Sequence, residues 1–235
     1  MKIVGLQKLT LLDYPGKVAC TVFLGGCNFR CPYCHNSELL ETDTPSVMDD
    51  NALLSFLEKR KGILEGVCIT GGEPTLYPEL PGLLRAIRTL GYSIKLDTNG
   101  YQPSVLEELV RQGLVDYVAM DIKNSPELYA ATVGRSTLDL EKLEQSIRFL
   151  LTNAVDYEFR TTVTEPFHHL ESIRSMGQWL EKLSSGTTIK RLYLQPFVDR
   201  ETVPVSGLNA PSSEQLAAFF EILSPIAEHV EIRGI

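Results

Sequence analysis

The chain alternates short apolar runs with longer amphipathic stretches. Residues 18–24 form an apolar run closed by Gly25 and Gly26, the pattern of a buried strand running into a loop. Runs at 67–70, 93–97, 117–122, 157–163 and 192–194 continue a series of six such strands. Helical patterns lie between them. Residues 46–61 offer Ser46 as a cap, Asp49 and Asp50 near the positive helix end, and Gly62 as a stop. Residues 78–90 place Leu80, Leu83, Leu84 and Ile87 on one face and close at Gly91, while 103–112 start on Pro103 and end before Gly113. Thr137 is the expected cap of the next helix, where Leu140, Leu143, Ile147 and Leu150 recur at helical spacing. Ile173, Met176, Leu180 and Leu183 mark another helix. Residues 211–227 are the last helix, with a terminal strand expected at 230–233.

Alternation of this kind implies parallel strands joined by right-handed helical crossovers. Six units are too few for a closed eight-unit barrel, so the expected fold is α/β, an open (β/α)6 partial barrel. The 235 residues hold no Pro/Ser-rich linker and no repeat. A single domain, 1–235, is expected: a lead-in at 1–17, a six-strand core at 18–195, then a loop, helix and edge strand at 196–235.

Composition narrows the class. With 43% hydrophobic and 22% charged residues, the chain can bury a sizeable core. No apolar run approaches the ~18–20 residues that cross a bilayer. Residues 1–17 carry Asp13 and no continuous apolar core, so no signal peptide is expected and the cytoplasm is the expected compartment. A formal charge of −8 argues against general binding to nucleic acid.

The candidate chemistry starts where the first strand ends. Cys27, Cys31 and Cys34 stand at C-x3-C-x2-C spacing on one short loop, close enough to converge on a metal centre. Iron–sulfur clusters are held by thiolates, normally four. Only three are in place, so a [4Fe–4S] cluster here would leave one iron without a protein ligand. A Cys3His zinc site with His35 is the competing reading, weakened because adjacent Cys34 and His35 seldom bind one tetrahedral ion. Cys20 and Cys68 fall inside strands and read as small core residues. In βα folds the active site gathers at the C-terminal strand ends. There the next three strands end in Thr70-Gly71-Gly72-Glu73-Pro74, Asp97-Thr98-Asn99-Gly100 and Met120-Asp121-Ile122-Lys123. Two glycines let a ligand approach the strand edge, and Glu73 can accept from an ammonium.

The cysteine loop, with Tyr33 before its last cysteine, resembles the cluster loop of radical S-adenosylmethionine (SAM) enzymes. Cys34-His35-Asn36 resembles more narrowly the activating enzymes of glycyl-radical enzymes. The opening from Gly5-Leu6-Gln7 to Asp13-Tyr14-Pro15-Gly16-Lys17 is similar to activating proteins of anaerobic ribonucleoside-triphosphate reductase. The resemblance implies a partial TIM barrel of the radical SAM type, a [4Fe–4S] cluster on Cys27, Cys31 and Cys34, and SAM as cofactor. It implies SAM contacts from Tyr33, Cys34, His35, Asn36, Gly71, Gly72, Glu73, Asn99, Asp121, Lys123 and Arg160. It also implies a monovalent cation held by Asp97, Thr98 and Asp121. The implied partners are a glycyl-radical enzyme, the anaerobic ribonucleotide reductase, and an electron donor such as flavodoxin or ferredoxin. Alternatives are activation of a pyruvate formate-lyase-like enzyme, or small-molecule chemistry resembling 7-carboxy-7-deazaguanine synthase. Pyruvate formate-lyase activators carry a histidine after the sixth strand, where this chain has Val198; Gln195 or Asp199 are the nearby substitutes. His168 and His169, just before a helix, are expected to be solvated or capping.

Overall fold

The computed structural model describes residues 1–40 and 44–234. The chain divides into two compact units, Met1–Asn28 with Glu38–Ala119, and Phe29–Ser37 with Met120–Ile235.

In the first unit, β1 (Ile3–Thr10) runs antiparallel to β2 (Ala19–Leu24), with Ile3 opposite Leu24 and Thr10 opposite Ala19. Next come β3 (Gly66–Gly71) and β4 (Ser93–Thr98), each parallel to its predecessor. Leu24 is level with Gly71, so β2 and β3 end side by side. Val67, Cys68 and Ile69 are fully buried, as an apolar run in a parallel sheet requires. The helices are α1 (Asp50–Glu58), α2 (Leu80–Thr89) and α3 (Pro103–Arg111). Leu80, Leu83, Leu84 and Ile87 form the buried face of α2, each worth about 1.5–3 kcal/mol of burial. Strand β5 (Tyr117–Asp121) starts in this unit and ends in the second.

The second unit holds α4 (Pro126–Thr132), α5 (Leu140–Thr152), β6 (Asp156–Val163), α6 (Leu170–Ser184), β7 (Ile189–Pro196), α7 (Ser213–Leu223) and β8 (Ala227–Ile232). Strands β6, β7 and β8 are parallel, with Phe159 beside Leu192 and Leu192 beside Val230. The Ile122 N–H donates to the Arg160 carbonyl at 2.8 Å, which ties the segment after β5 to β6.

All six core strands and the terminal strand form within a few residues of the expected positions. Several details differ. The cap of α1 is Asp49, which accepts from the Ala52 N–H at 2.7 Å; Ser46 instead donates to the Ile3 and Met48 carbonyls. Asp139, not Thr137, caps α5 by accepting from the Glu141 N–H. In both cases a carboxylate nearer the helix outcompetes the hydroxyl. The last helix stops at Leu223, and Ser224–Ile226 tighten into a 3₁₀ turn. β1 and α4 were not expected. β1 mixes apolar and polar residues without strict alternation and carries Gly5, and seven residues are too few for α4 to show a helical period.

Candidate active site at the strand ends

In the first unit the loops after β2 and β3 meet backbone to backbone. The Gly72 N–H donates to the Leu24 carbonyl at 2.8 Å, and the Glu73 N–H to the Gly26 carbonyl at 2.9 Å. A Cβ on Gly72 would sit 1.9 Å from the Gly26 carbonyl oxygen. Gly71 has φ +118, and its Cβ would fall 2.3 Å from the Leu24 oxygen. The two glycines are therefore required by the Leu24 and Gly26 backbone, where the sequence suggested only ligand approach. Tyr77 adds a clamp, its hydroxyl donating to the Gly25 carbonyl at 2.7 Å.

Glu73 is fully buried. Its Oε1 accepts from the Thr75 N–H (3.1 Å), the Thr75 hydroxyl (2.5 Å) and the Thr98 hydroxyl (2.8 Å). Its Oε2 accepts from the Asn99 N–H at 2.6 Å. Burial raises the carboxyl above its ordinary range against the opposing pull of these donors. Glu73 thus fastens the end of β4 to the turn after β3.

Asn99 Nδ2 donates to Asn28 Oδ1 at 2.7 Å and lies 3.9 Å from Cys27 Sγ. Asn28 Oδ1 lies 3.7 Å from the same sulfur. Asn28 is a residue that sequence reasoning missed; its place beside Cys27 in the loop was the available signal. Asp97 faces Lys95 Nζ in a close ion pair, with Cys68 Sγ 3.7 Å away. Among the expected cation ligands, Asp97 is held by an ammonium and Thr98 by Glu73. No observation supports the monovalent cation.

In the second unit the Cys34 N–H donates to the Cys31 carbonyl at 3.1 Å. Burial pushes the Cys31 thiol up to about 11 and raises Cys34 as well; the Asn36 backbone N–H bonds the Cys34 sulfur and opposes the rise. Tyr33 is buried between the Phe167 and His168 rings, with centroids at 5.9 and 6.2 Å. Its hydroxyl has no hydrogen-bond partner among the described residues. The His35 ring stacks on Phe197 at 5.4 Å, and its Nε2 donates to the Val198 carbonyl at 2.7 Å. The Thr202 hydroxyl donates to the His35 carbonyl at 2.7 Å, and Ser37 Oγ donates to the Thr202 carbonyl. The Val198 side chain is exposed, so position 198 enters the site region through its carbonyl.

Asp121 holds two cations: Lys123 Nζ at 2.9 Å from Oδ2 and Arg160 Nε at 3.0 Å from Oδ1. Burial alone would raise this carboxyl, but Arg160 and Lys123 outweigh it and hold it at about 2. Burial likewise disfavours the Lys123 ammonium, and Asp121 more than reverses that. Arg160 is half-buried in this pair, with 15% of its side chain exposed. His168 is buried: its Nδ1 accepts from the Thr164 N–H at 3.1 Å, and Nε2–H donates to the Lys123 carbonyl at 2.8 Å. The solvated role expected for it is excluded. His169 does cap α6, accepting from the Ser172 N–H. Cys20 and Cys68 are fully buried, as core residues should be.

The model of the Radical SAM superfamily matches residues 21–181. A Methanocaldococcus jannaschii protein with the provisional name glycyl-radical enzyme activating enzyme is 32% identical over 98% of this chain and 95% of its own. The pyruvate formate-lyase-activating enzyme of Clostridium pasteurianum is 32% identical over 52% of each chain. A 7-carboxy-7-deazaguanine synthase of Aquifex aeolicus is 38% identical over 33% of this chain and 34% of its own. Among solved structures, Streptococcus suis SuiB bound to precursor peptide SuiA aligns with TM-score 0.70 at 14% identity, over 91% of this chain and 48% of that one. The chain belongs to the Radical SAM superfamily, and its fold is the α/β partial TIM barrel with parallel strands of those enzymes. Its relatives include activating enzymes of glycyl-radical enzymes, and membership implies a [4Fe–4S] cluster and SAM.

The residues fit those groups in their chemistry. None of the five cysteines is in a disulfide, and three stand on the loop after β2. The orphaned Tyr33 hydroxyl is a buried donor that a bound ligand would satisfy. Among the described residues no three His, Cys, Asp or Glu side chains form a preassembled metal cage, so the fit rests on donor chemistry.

Proposed function

We propose that this protein activates a glycyl-radical enzyme, with the anaerobic ribonucleoside-triphosphate reductase as its partner. Cys27, Cys31 and Cys34 would hold the cluster. When bound, the reduced cluster would supply the one electron for reductive cleavage of SAM, the chemistry that removal of a glycine Cα hydrogen in the partner requires. The chain's own residues bind and orient. Lys123 and Arg160, aligned by Asp121, would meet the SAM carboxylate as a double cation. Glu73 Oε2 would accept from its ammonium beside Gly71 and Gly72, and Tyr33 would donate to the bound cofactor. His35 and Asn36 shape the loop around Cys34, while the Asn28–Asn99 pair lies against Cys27. Hydrogen bonds to cluster sulfurs tune the reduction potential. In this reading residues 1–235 serve as one catalytic domain in the cytoplasm, supplied with electrons by a flavodoxin or ferredoxin.

The observation that carries activation is the match over nearly the whole of both chains to a protein named as an activator. The opening Gly5–Lys17 motif is what favours the reductase over pyruvate formate-lyase. The synthase match, confined to a third of the chain, favours small-molecule chemistry as the second reading. A peptide carrying the reductase's glycine motif, deuterated at the glycine Cα, discriminates them. Deuterium is expected in 5′-deoxyadenosine, with SAM cleavage stimulated by the peptide or by intact reductase. No transfer from either, with transfer from a small molecule, assigns the second reading.

A further inference from the structure

Lys95 is only 2% exposed, in the middle of β4. Its partner in register on β3 is Cys68, whose sulfur lies 3.9 Å from Nζ. The Tyr117 ring centroid is 6.0 Å away. Nζ forms a close ion pair with Asp97 Oδ1, two residues further along the same face of the strand. Removing an ammonium from water is costly, and an apolar side chain of similar volume would avoid that cost, so such a pair is poor support for a fold by itself. What the ammonium does supply is charge at one place. Asp97 is the last residue but one of β4, immediately before Thr98 and Asn99, both bonded to Glu73. A carboxylate there without an internal partner would draw a cation from solvent.

We propose that Lys95 is the resident counter-cation of Asp97, occupying the position at the end of β4 that a monovalent metal ion would otherwise take. Lys95 is then a positioning residue: it holds Asp97 charged and oriented beside the Glu73 network. SAM binding by this protein is consequently independent of monovalent cations. This rests on SAM binding at the strand ends, as proposed above.

The test compares SAM affinity of the anaerobically reconstituted protein in NaCl, KCl and tetramethylammonium chloride at equal ionic strength. Tetramethylammonium is too large to enter the position. The wild-type dissociation constant is expected to be the same in all three salts. Lys95→Met should bind SAM about tenfold more weakly in tetramethylammonium, the scale of one lost charge-assisted contact, and recover in NaCl or KCl. The melting temperature of the same proteins without SAM is the second readout. Lys95→Met should be stabilised by NaCl or KCl over tetramethylammonium, and Lys95→Met/Asp97→Asn should lose that response because neither charge remains. A wild-type affinity that rises with sodium or potassium overturns the proposal, and that arm decides it alone if Lys95→Met does not fold. A folded Lys95→Met indifferent to cation in both readouts also overturns it. Absence of SAM binding in every salt strikes the functional reading instead, while the melting series still tests the pair.

Discussion

A single atom sets the constraint on Gly72, the Gly26 carbonyl oxygen that an added Cβ would meet at 1.9 Å. That oxygen belongs to the residue before Cys27 and cannot swing away as a side-chain tip could. Gly72→Ala therefore has to displace the start of the cysteine loop. Overpacking of this kind typically costs about 1–3 kcal/mol. The expected result is a lower melting temperature together with lost iron after reconstitution. If iron were retained in full and only SAM affinity fell, the glycine would be serving ligand approach, as the sequence alone suggested. The family resemblance implies a cation-ligand role for Asp97 and Thr98; in the structure Lys95 pairs with Asp97 and Glu73 accepts from Thr98.

At the level of elements, the segment between β6 and α6 carries more than a connection. Thr164 and His168 are buried, and the imidazole joins the Thr164 N–H to the Lys123 carbonyl. Asn124 Nδ2 donates to the Phe167 carbonyl at 2.8 Å, so two bonds hold the residues after β5 to this segment. Burial lowers the His168 pKa below its usual 6.5 and keeps the ring neutral. The sign follows: the stabilisation is complete above pH 6.5 and declines below it, where the unfolded chain takes up the proton first. His168→Phe leaves a buried donor and a buried acceptor unpaired, about 1–3 kcal/mol each. Its melting temperature should fall by several degrees at pH 8, and its slope between pH 7 and pH 5 should be shallower than the parent's. An unchanged slope would mean that the ring is not the titrating group. His169 next to it only caps α6.

For the whole molecule, the family assignment makes the metal content the sharpest measurement. Anaerobic reconstitution is expected to give about four irons per chain. Cys27→Ala, Cys31→Ala and Cys34→Ala should each lose the cluster, whereas Cys20→Ala and Cys68→Ala should keep it at a cost in stability. Iron and sulfide analysis with the absorbance of the cluster reads this directly. One zinc and no iron under strict anaerobiosis would overturn the assignment. No helix among the described residues is long and apolar enough to cross a membrane.

The sequence by itself determined the six core strands, the terminal strand and the longer helices, because short apolar runs, the 3.6-residue pattern and their Gly and Pro boundaries are local properties. It also placed three thiols on one short loop, since C-x3-C-x2-C is a matter of spacing along the chain. The tertiary structure decided which partners close each charge and each amide. Lys95 reads in sequence as one polar residue in a strand, and only packing places its ammonium against Asp97 in the interior. Arg160 and Asp121 lie 39 residues apart and meet at 3.0 Å. His35 reaches the Val198 carbonyl at 2.7 Å across 163 residues of sequence. Burial and long-range pairing depend on the whole set of contacts, and no window of sequence contains them.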